Sequence, residues 1–127
     1  MTINGKPLVV VADDDVTTRR LIEVTVRNCG CDVIAVANGE EALEQIRARR
    51  PRIAILDGQM PRLTGWEVAK ELQGDEAAAG TRIIFLSSRT QEHDVLEGFS
   101  SGATDYLFKP FSPRELQARV KAVLARD

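Results

Sequence analysis

Three carboxylates stand side by side in the stretch VVVADDDVTT, directly after an apolar run. They belong to Asp13, Asp14 and Asp15. Like charges this close repel one another, and burying them is unfavourable unless a cation compensates. Mg²⁺ binds oxygen ligands and usually takes one or two protein carboxylates. The stretch therefore predicts a cation site; helix capping is the alternative, and for Asp15 capping is the better account.

Three further reactive side chains follow apolar runs elsewhere in the chain, namely Asp57, Ser87 and Lys109. A carboxylate held beside Mg²⁺ can attack phosphorus and form an aspartyl phosphate. A lysine neutralises charge on the transferred group, and a serine hydroxyl can donate a hydrogen bond to it. Each residue alone has an ordinary explanation, such as a surface lysine or a polar strand end. Together they predict phosphoryl transfer.

Five short, β-branched apolar runs alternate with helical segments and predict the elements that position these residues. The predicted strands are 8–12, 32–36, 52–56, 82–86 and 105–108. This alternation predicts an α/β fold with a parallel sheet and helices on both of its faces. In such a sheet the carboxyl ends of the strands meet at one edge, which is where ligands bind. The five candidate residues Asp13, Asp14, Asp57, Ser87 and Lys109 all follow strand ends.

Capping signals predict where the helices begin. The caps are Asp15, Asn38, Thr64 and Ser112, the last of them followed by Pro113. The first helix is expected to bury Leu21, Ile22 and Val26. The last is expected to bury Leu116, Val120, Val123 and Leu124. A less regular fourth helix is predicted near 91–100.

The bulk composition narrows the class of protein. The 127 residues predict one domain over 1–127, and the net charge of −2 gives no general attraction to nucleic acid or an anionic membrane. Because we find neither a membrane-length apolar stretch nor a signal peptide, we expect a cytoplasmic protein. Cys29 and Cys31 lack a second cysteine pair or histidine cluster, so we interpret them as structural thiols.

The segments VVVADDD, IAILDGQMPRLTGWEV, IIFLSS and GATDYLFKPF resemble the receiver domains (CheY-like domains) of two-component response regulators. The resemblance runs from about Pro7 to the end of the chain. It implies a flavodoxin-like, doubly wound (βα)5 fold whose five parallel strands lie in the order 2-1-3-4-5. It also implies that this is a signalling phosphoprotein with bound magnesium.

The resemblance implies a role for each matching residue. Asp57 matches the phospho-acceptor and a metal ligand, while Lys109 matches the lysine that contacts the phosphoryl group. Asp14 matches the direct Mg²⁺ ligand, Asp13 a ligand acting through water, and Gln59 offers its backbone carbonyl. Ser87 and Tyr106 match the switch hydroxyl and the switch aromatic residue. The bond before Pro110 is usually cis in the family.

Some residues depart from the family pattern. Gly58 stands where an apolar side chain is usual and predicts a looser loop, whereas Ser87 and Ser88 stand for the usual Thr and Ala. The side chains of Gln59 and Arg89 would flank the water that attacks during dephosphorylation, so the family pattern predicts no particular rate of dephosphorylation. Trp66 is expected to pack near the surface, with a partner anchor as the alternative. We interpret His93 as a solvated side chain.

The leading functional interpretation is a switch that receives a phosphoryl group from a sensor histidine kinase or a phosphotransfer protein. It would assist only its own phosphorylation and dephosphorylation. It would then alter the surface formed by the predicted fourth helix (near 91–100), the fifth predicted strand (105–108) and the helix that begins after Ser112. That surface would control a C-terminal output domain or a separate effector. The alternative is a small Mg²⁺-dependent aspartyl-phosphate phosphohydrolase. Such enzymes carry a D-x-D motif, whereas Gly58 and Gln59 follow Asp57. A pure interaction module would have lost Asp57, Asp14 or Lys109.

The segment KPFSPRELQARVKAVL resembles receivers that pair through this same face by crossed ion pairs. The matching charged residues are Asp105, Glu115, Arg119 and Lys121. Glu97 stands in place of a basic residue and would face Glu115, and Thr104 replaces an acid. We therefore expect a monomer or a weak, phosphorylation-dependent dimer. From the net charge and the lack of a membrane-length segment, we expect no contact of this domain with nucleic acid or membrane.

Overall fold

The computed structural model describes residues 2–3, 5–88 and 105–126. The predicted helix near 91–100 lies outside them, together with Arg89, His93, Glu97 and Thr104. The strands are β1 (Thr2–Ile3), β2 (Lys6–Ala12), β3 (Asp32–Val36), β4 (Ile53–Asp57), β5 (Arg82–Ser88) and β6 (Asp105–Lys109). The helices are α1 (Val16–Arg27), α2 (Gly39–Arg49), α3 (Gly65–Leu72) and α4 (Pro113–Ala125), with a short 3₁₀ turn at Glu76–Ala78.

Five of the strands run parallel in the order β3-β2-β4-β5-β6. This is the 2-1-3-4-5 order of the doubly wound fold, so the expected fold is confirmed. The short β1 was not predicted; it pairs antiparallel with the first residues of β2. A turn at Gly5, whose φ is 81°, joins the two strands.

The sheet is covered on both faces, and alternate strand residues face opposite layers. One layer packs against α1 and α4; its largest fully buried strand members include Val9, Val11, Ile55, Ile84 and Leu86. The other packs against α2 and α3, with Val10, Leu56 and Phe85 among its buried strand residues. Covering on both faces is the reason the strands read as continuous apolar runs.

The predicted helix caps are confirmed. Asp15 accepts a hydrogen bond from the Thr18 amide, and Asn38 accepts one from the Glu41 amide. Thr64 and Ser112 each form a complete capping box, with a glutamate three residues on. The local pattern of a polar cap and a returning carboxylate was therefore sufficient to locate these helix starts.

The predicted burial of α1 was wrong at one residue. Ile22 and Val26 are fully buried, but Leu21 is 40% exposed and lines a cavity of about 360 Å³ beside Pro110 and Phe111. In α4, Leu116, Val120 and Val123 are buried as expected, while Leu124 is half-buried. Within the described ranges, none of the helices is long and apolar enough to cross a membrane.

Cys29 is half-buried and Cys31 is buried, and both thiols pack in the core layer of Val, Ile and Leu side chains beside α1 and α4. Burial raises the pKa of both thiols above the usual value, which disfavours the reactive thiolate. The two residues therefore fit the interpretation as structural thiols.

Candidate functional site

The carboxyl edge of the sheet gathers the candidate residues from four strand ends. Asp13 directly follows β2, and Asp57 is the last residue of β4. Ser87 lies near the end of β5, one residue beyond the partner of Asp57 in the strand register. Lys109 ends β6 and pairs with Ser88. Parallel register therefore brings residues that are far apart in the chain to one edge.

Lys109 lies between two buried carboxylates. Its Nζ is 3.0 Å from Oδ2 of Asp57 and 3.1 Å from Oδ2 of Asp13. The side chain of Asp13 is fully buried and that of Asp57 is 10% exposed. A charged lysine that contacts both acids offsets part of the unfavourable burial of their charges. The following Lys109–Pro110 bond is cis, as the resemblance implies.

Asp13 accepts hydrogen bonds at both carboxylate oxygens and at its backbone carbonyl. The Asp15 amide donates to Asp13 Oδ1 at 2.9 Å, and Lys109 occupies Oδ2. The Arg19 guanidinium donates to the Asp13 carbonyl at 3.0 Å. Both carboxylate oxygens of Asp13 therefore already accept hydrogen bonds within the chain. Asp15 faces its own helix instead and caps α1 through Thr18.

The two partners of the central ion pair have shifted pKa values. Burial raises the pKa of Asp57 above its usual value, and the hydrogen bond and charge of Lys109 offset only part of that rise. For Lys109, burial acts to lower the pKa, but the bonds and charges of Asp57 and Asp13 outweigh it and raise the pKa overall. The lysine therefore stays charged across the physiological pH range, as a contact for an anion requires.

The carboxylates of Asp13, Asp14 and Asp57 converge, with one oxygen of each within 4.8 Å of the others. Asp14 is exposed, and nothing in the described part of the chain forms a hydrogen bond or ion pair with its carboxylate. Three carboxylates thus face one ammonium group. An octahedral, oxygen-preferring divalent cation fits this donor set, because it would offset the remaining repulsion and still keep several waters.

The loop after Asp57 is packed closely. The Gly58 amide donates to the Leu86 carbonyl at 2.9 Å, and the Gln59 amide donates to Asp57 Oδ1 at 3.2 Å. A Cβ placed on Gly65, the first residue of α3, would lie 2.3 Å from the Asp57 carbonyl oxygen. The start of α3 therefore rests directly on the backbone of Asp57, and only glycine allows this approach.

Two expectations about this loop were wrong. Trp66 is 5% exposed and lies in the core rather than near the surface. Its indole fills the space beside Gly58, since a Cβ on Gly58 would lie 2.4 Å from Cζ2 of the ring. Gly58 therefore does not leave the loop loose. Instead, the missing side chain of Gly58 is replaced by a ring from α3.

Ser87 and Tyr106 lie beside the acidic edge. Ser87 is buried, and its hydroxyl donates to the Ser88 carbonyl at 3.2 Å. Tyr106 is paired with Phe85 in the strand register and already points inward, with 7% of its surface exposed. Its ring centroid lies 6.0 Å from that of Trp66 and 5.5 Å from that of Phe85.

Comparison with known proteins decides the family. The model of the response regulator receiver domain matches residues 9–121. The chain belongs to this family. It is a receiver domain of a two-component response regulator, and the relatives favour this signalling class over a phosphohydrolase.

Relatives of this receiver domain occur among transcription regulators and chemotaxis proteins. The chain is 39% identical to the alkaline phosphatase synthesis transcriptional regulatory protein PhoP of Bacillus subtilis, over 94% of this chain and 49% of that one. It is 31% identical to the chemotaxis response regulator CheY4 of Vibrio cholerae, with a TM-score of 0.86 and coverage of 93% and 98%. The chain spans about half the length of the curated relatives it matches.

A third relative contains a metal. The receiver domain of the sensor histidine kinase PA1611 from Pseudomonas aeruginosa has a magnesium ion coordinated in its active site cleft. It is 26% identical to this receiver domain, with a TM-score of 0.86 and coverage of 95% and 99%. The converging carboxylates of the present chain fit the same class of ion.

The sequence did not reveal every residue that shapes this site. Arg19 and Gly65 hold the backbone beside Asp13 and Asp57, and Trp66 packs on the loop. Gly65 had a detectable signal, because a glycine directly after a cap indicates that another backbone lies close. Arg19 had none, since its acceptor is a backbone carbonyl six residues away.

Proposed function

We propose that this receiver domain is a phospho-accepting switch, with Asp57 as the acceptor. One observation carries the proposal: Lys109 bridges Asp57 and Asp13, while the carboxylate of Asp14 converges on the same point. A nucleophilic carboxylate, a fixed ammonium group and an exposed carboxylate available to a cation are the components that phosphoryl transfer to aspartate requires.

In the proposed reaction, a carboxylate oxygen of Asp57 attacks the phosphorus of a phosphohistidine on a sensor kinase or phosphotransfer protein. The new P–O bond forms as the P–N bond breaks, and the imidazole nitrogen keeps the electron pair and takes a proton from solvent. Lys109 contacts the phosphoryl oxygens and stays charged because its pKa is raised. The chain assists only this reaction and its own dephosphorylation, in which water attacks the phosphorus, the bond to the Asp57 oxygen breaks, and inorganic phosphate leaves.

The acidic pair would hold the cation. As the family resemblance implies, Asp14 and Asp57 would be direct ligands with the Gln59 carbonyl, and Asp13 would act through water; the convergence of the three carboxylates supports this set. Mg²⁺, when bound, neutralises charge on the phosphoryl oxygens.

Ser87 and Tyr106 would transmit the change. A phosphoryl group on Asp57 would attract the buried Ser87 hydroxyl, which lies one residue beyond the register partner of Asp57 on the neighbouring strand. The result is a shift in the population of conformations at the face that includes β6 and α4, which are the fifth strand and fifth helix of the sequence prediction. The chain covers about half of a transcriptional regulatory relative, which supports an output domain as the partner of this face. A separate effector is the alternative partner. Glu115 is engaged in its capping box and Arg119 contacts Asp105 within the chain, which supports a monomer or weak dimer.

Intact-mass measurement tests the acceptor. With Mg²⁺ and acetyl phosphate, the wild-type protein should gain one acid-stable, base-labile phosphoryl group, and Asp57→Asn should gain none. Asp75→Asn is the matched control, because Asp75 is an aspartate remote from this edge, and it should gain the group normally. Equal incorporation in wild type and Asp57→Asn would refute the assignment.

Titration with Mg²⁺ tests the cation site. Asp14→Asn removes a charged ligand from a site with few protein ligands, so its Mg²⁺ affinity should fall by about tenfold or more. Relief of carboxylate repulsion should leave the cation-free variant at least as stable as wild type. Glu44→Gln on α2 is the control and should bind Mg²⁺ like wild type. An unchanged affinity in Asp14→Asn would show that the cation binds elsewhere.

A further inference from the structure

The single tryptophan and the single tyrosine of this receiver domain are neighbours in the core. Trp66, Tyr106 and Phe85 form an aromatic cluster in which all three rings are buried. The centroids of Trp66 and Phe85 are 4.3 Å apart, and the planes of Trp66 and Tyr106 differ by 30°. Rings packed this closely cannot move independently, since each forms one wall of the space that the others occupy.

The other edge of the Trp66 ring contacts the loop beside Asp57. A Cβ on Gly58 would lie 2.4 Å from Cζ2 and 2.8 Å from Cε2 of the indole. Those distances are far below van der Waals contact, so the ring occupies the volume of a side chain at position 58. One rigid ring therefore touches both the residue after Asp57 and the ring of Tyr106.

Shape, and not hydrogen bonding, holds the indole in this position. Its Nε1 is buried and has no hydrogen-bond partner among the residues that the structure describes. A buried donor without an acceptor is unfavourable, so packing must outweigh that cost here. A ring positioned by packing alone follows its neighbours when they move.

We propose that Trp66 is the positioning residue that couples the loop beside Asp57 to Tyr106. Movement of Gly58 displaces the indole, and the indole displaces the tyrosine ring stacked on it. Tyr106 is already inward, so its environment responds through this contact without a swing from solvent. The part of this proposal that concerns phosphorylation rests on the proposed function of Asp57.

Fluorine NMR tests the coupling without any phosphoryl group. Labelling with 3-fluorotyrosine places one resonance on Tyr106, because the chain has one tyrosine. Gly58→Ala adds a methyl group where the indole lies, so it should shift this resonance. The same substitution should produce a shift smaller by about half or more in a Trp66→Leu background, because the link is then removed.

Leu72→Ala is the matched control background. Leu72 is a buried residue at the other end of α3 and packs in the same layer. In that background Gly58→Ala should keep its full effect on Tyr106. Trp66→Phe provides a second variant with a smaller ring, and it should weaken the effect even if Trp66→Leu does not fold. An equal Gly58→Ala shift in the wild-type and Trp66-substituted backgrounds would overturn the proposal.

A second measurement adds acetyl phosphate and Mg²⁺ to the labelled proteins. Trp66→Phe should still gain the phosphoryl group by mass, yet its Tyr106 resonance should respond about twofold less than that of wild type. A full response would overturn the coupling. If wild type gains no group on Asp57, the proposed function fails instead, and the Gly58→Ala result still decides the role of Trp66.

Discussion

The buried hydrophobic side chains on the α1–α4 face of the sheet are aliphatic apart from Cys31, with Phe111 partly buried against them, whereas the α2–α3 face buries the neighbouring rings of Trp66, Phe85 and Tyr106. Both faces contain fully buried side chains, since Val9 and Ile55 on one side and Phe85 on the other have no exposed surface. The difference therefore lies in the kind of packing and not in its extent.

This difference assigns separate tasks to the two faces. Aliphatic contacts are non-directional, and cores of this kind tolerate changes of shape that conserve volume. Aromatic rings are rigid and have preferred orientations relative to one another. The aromatic face is also the one that contacts Gly58, next to Asp57. We infer that the aliphatic face supplies stability and the aromatic face supplies communication with the acidic edge.

The largest expected effect on stability comes from removing a large buried side chain from the aliphatic face. Leu116 is fully buried there, so Leu116→Ala should lower the free energy of unfolding by about 2–5 kcal/mol, measured by urea denaturation. Its Tyr106 resonance should nevertheless respond to phosphorylation as in wild type. Lys121→Ala, on the exposed side of α4, should change stability by no more than about 0.5 kcal/mol. A diminished Tyr106 response in Leu116→Ala would show that communication is not confined to the aromatic face.

A smaller and sharper comparison uses the two matched capping boxes. Thr64 begins α3 on the aromatic face and Ser112 begins α4 on the aliphatic face, with cap bonds of 3.2 and 3.1 Å. Each change to alanine should cost about 1 kcal/mol of unfolding free energy. Only Thr64→Ala should also shift the Tyr106 resonance, because Gly65 and Trp66 are the first residues of α3. Similar shifts in both variants would contradict the division between the faces.

The smallest expected effect concerns pH and lies on the aromatic side, far from Asp57. Asp75 accepts hydrogen bonds from the Ala77 amide and from Arg47 Nε, and these bonds lower the pKa of its carboxyl group below the usual value. A lowered folded-state pKa means that the stabilisation is full above the unfolded-state pKa. It is then lost as pH falls through the folded-state value.

Urea midpoints of wild type and Asp75→Asn check this sign. Wild type should be the more stable protein at about pH 6, and the difference should shrink and disappear as the pH falls below the unfolded-state pKa and through the lowered folded-state pKa. The Tyr106 resonance should be the same in both proteins at neutral pH. A difference in midpoint that persists at low pH would mean that the carboxylate charge is not its source.

The sequence predicted most of the architecture because the signals involved are local. Caps such as Asn38 and Ser112 bond to amides three residues away, so their pattern is complete within one helical turn. The strands are read from continuous apolar runs, and their parallel direction follows from alternation with helices, whereas the strand order was implied by the family resemblance. The two-residue β1 escaped because a strand this short has no periodicity to detect.

What the sequence by itself determined about this receiver domain is the set of chemical groups and the edge at which they meet. The carboxylates, Ser87 and Lys109 lie at or directly after strand ends, and parallel strands place those ends together whatever the side-chain packing. The family motifs span the same segments and therefore support the same edge.

Only the tertiary structure decided how those groups are supported. The exposure of Leu21 and the burial of Trp66 depend on which elements pack against α1 and α3, and periodicity within a helix does not contain that information. The rise in the pKa of Asp57 is likewise a net result of burial against Lys109, which lies 52 residues away in the chain. The fit of the Trp66 indole into the space beside Gly58 depends on close packing between two elements. Close packing is a property of volumes in three dimensions, and the order of residues along the chain does not specify it.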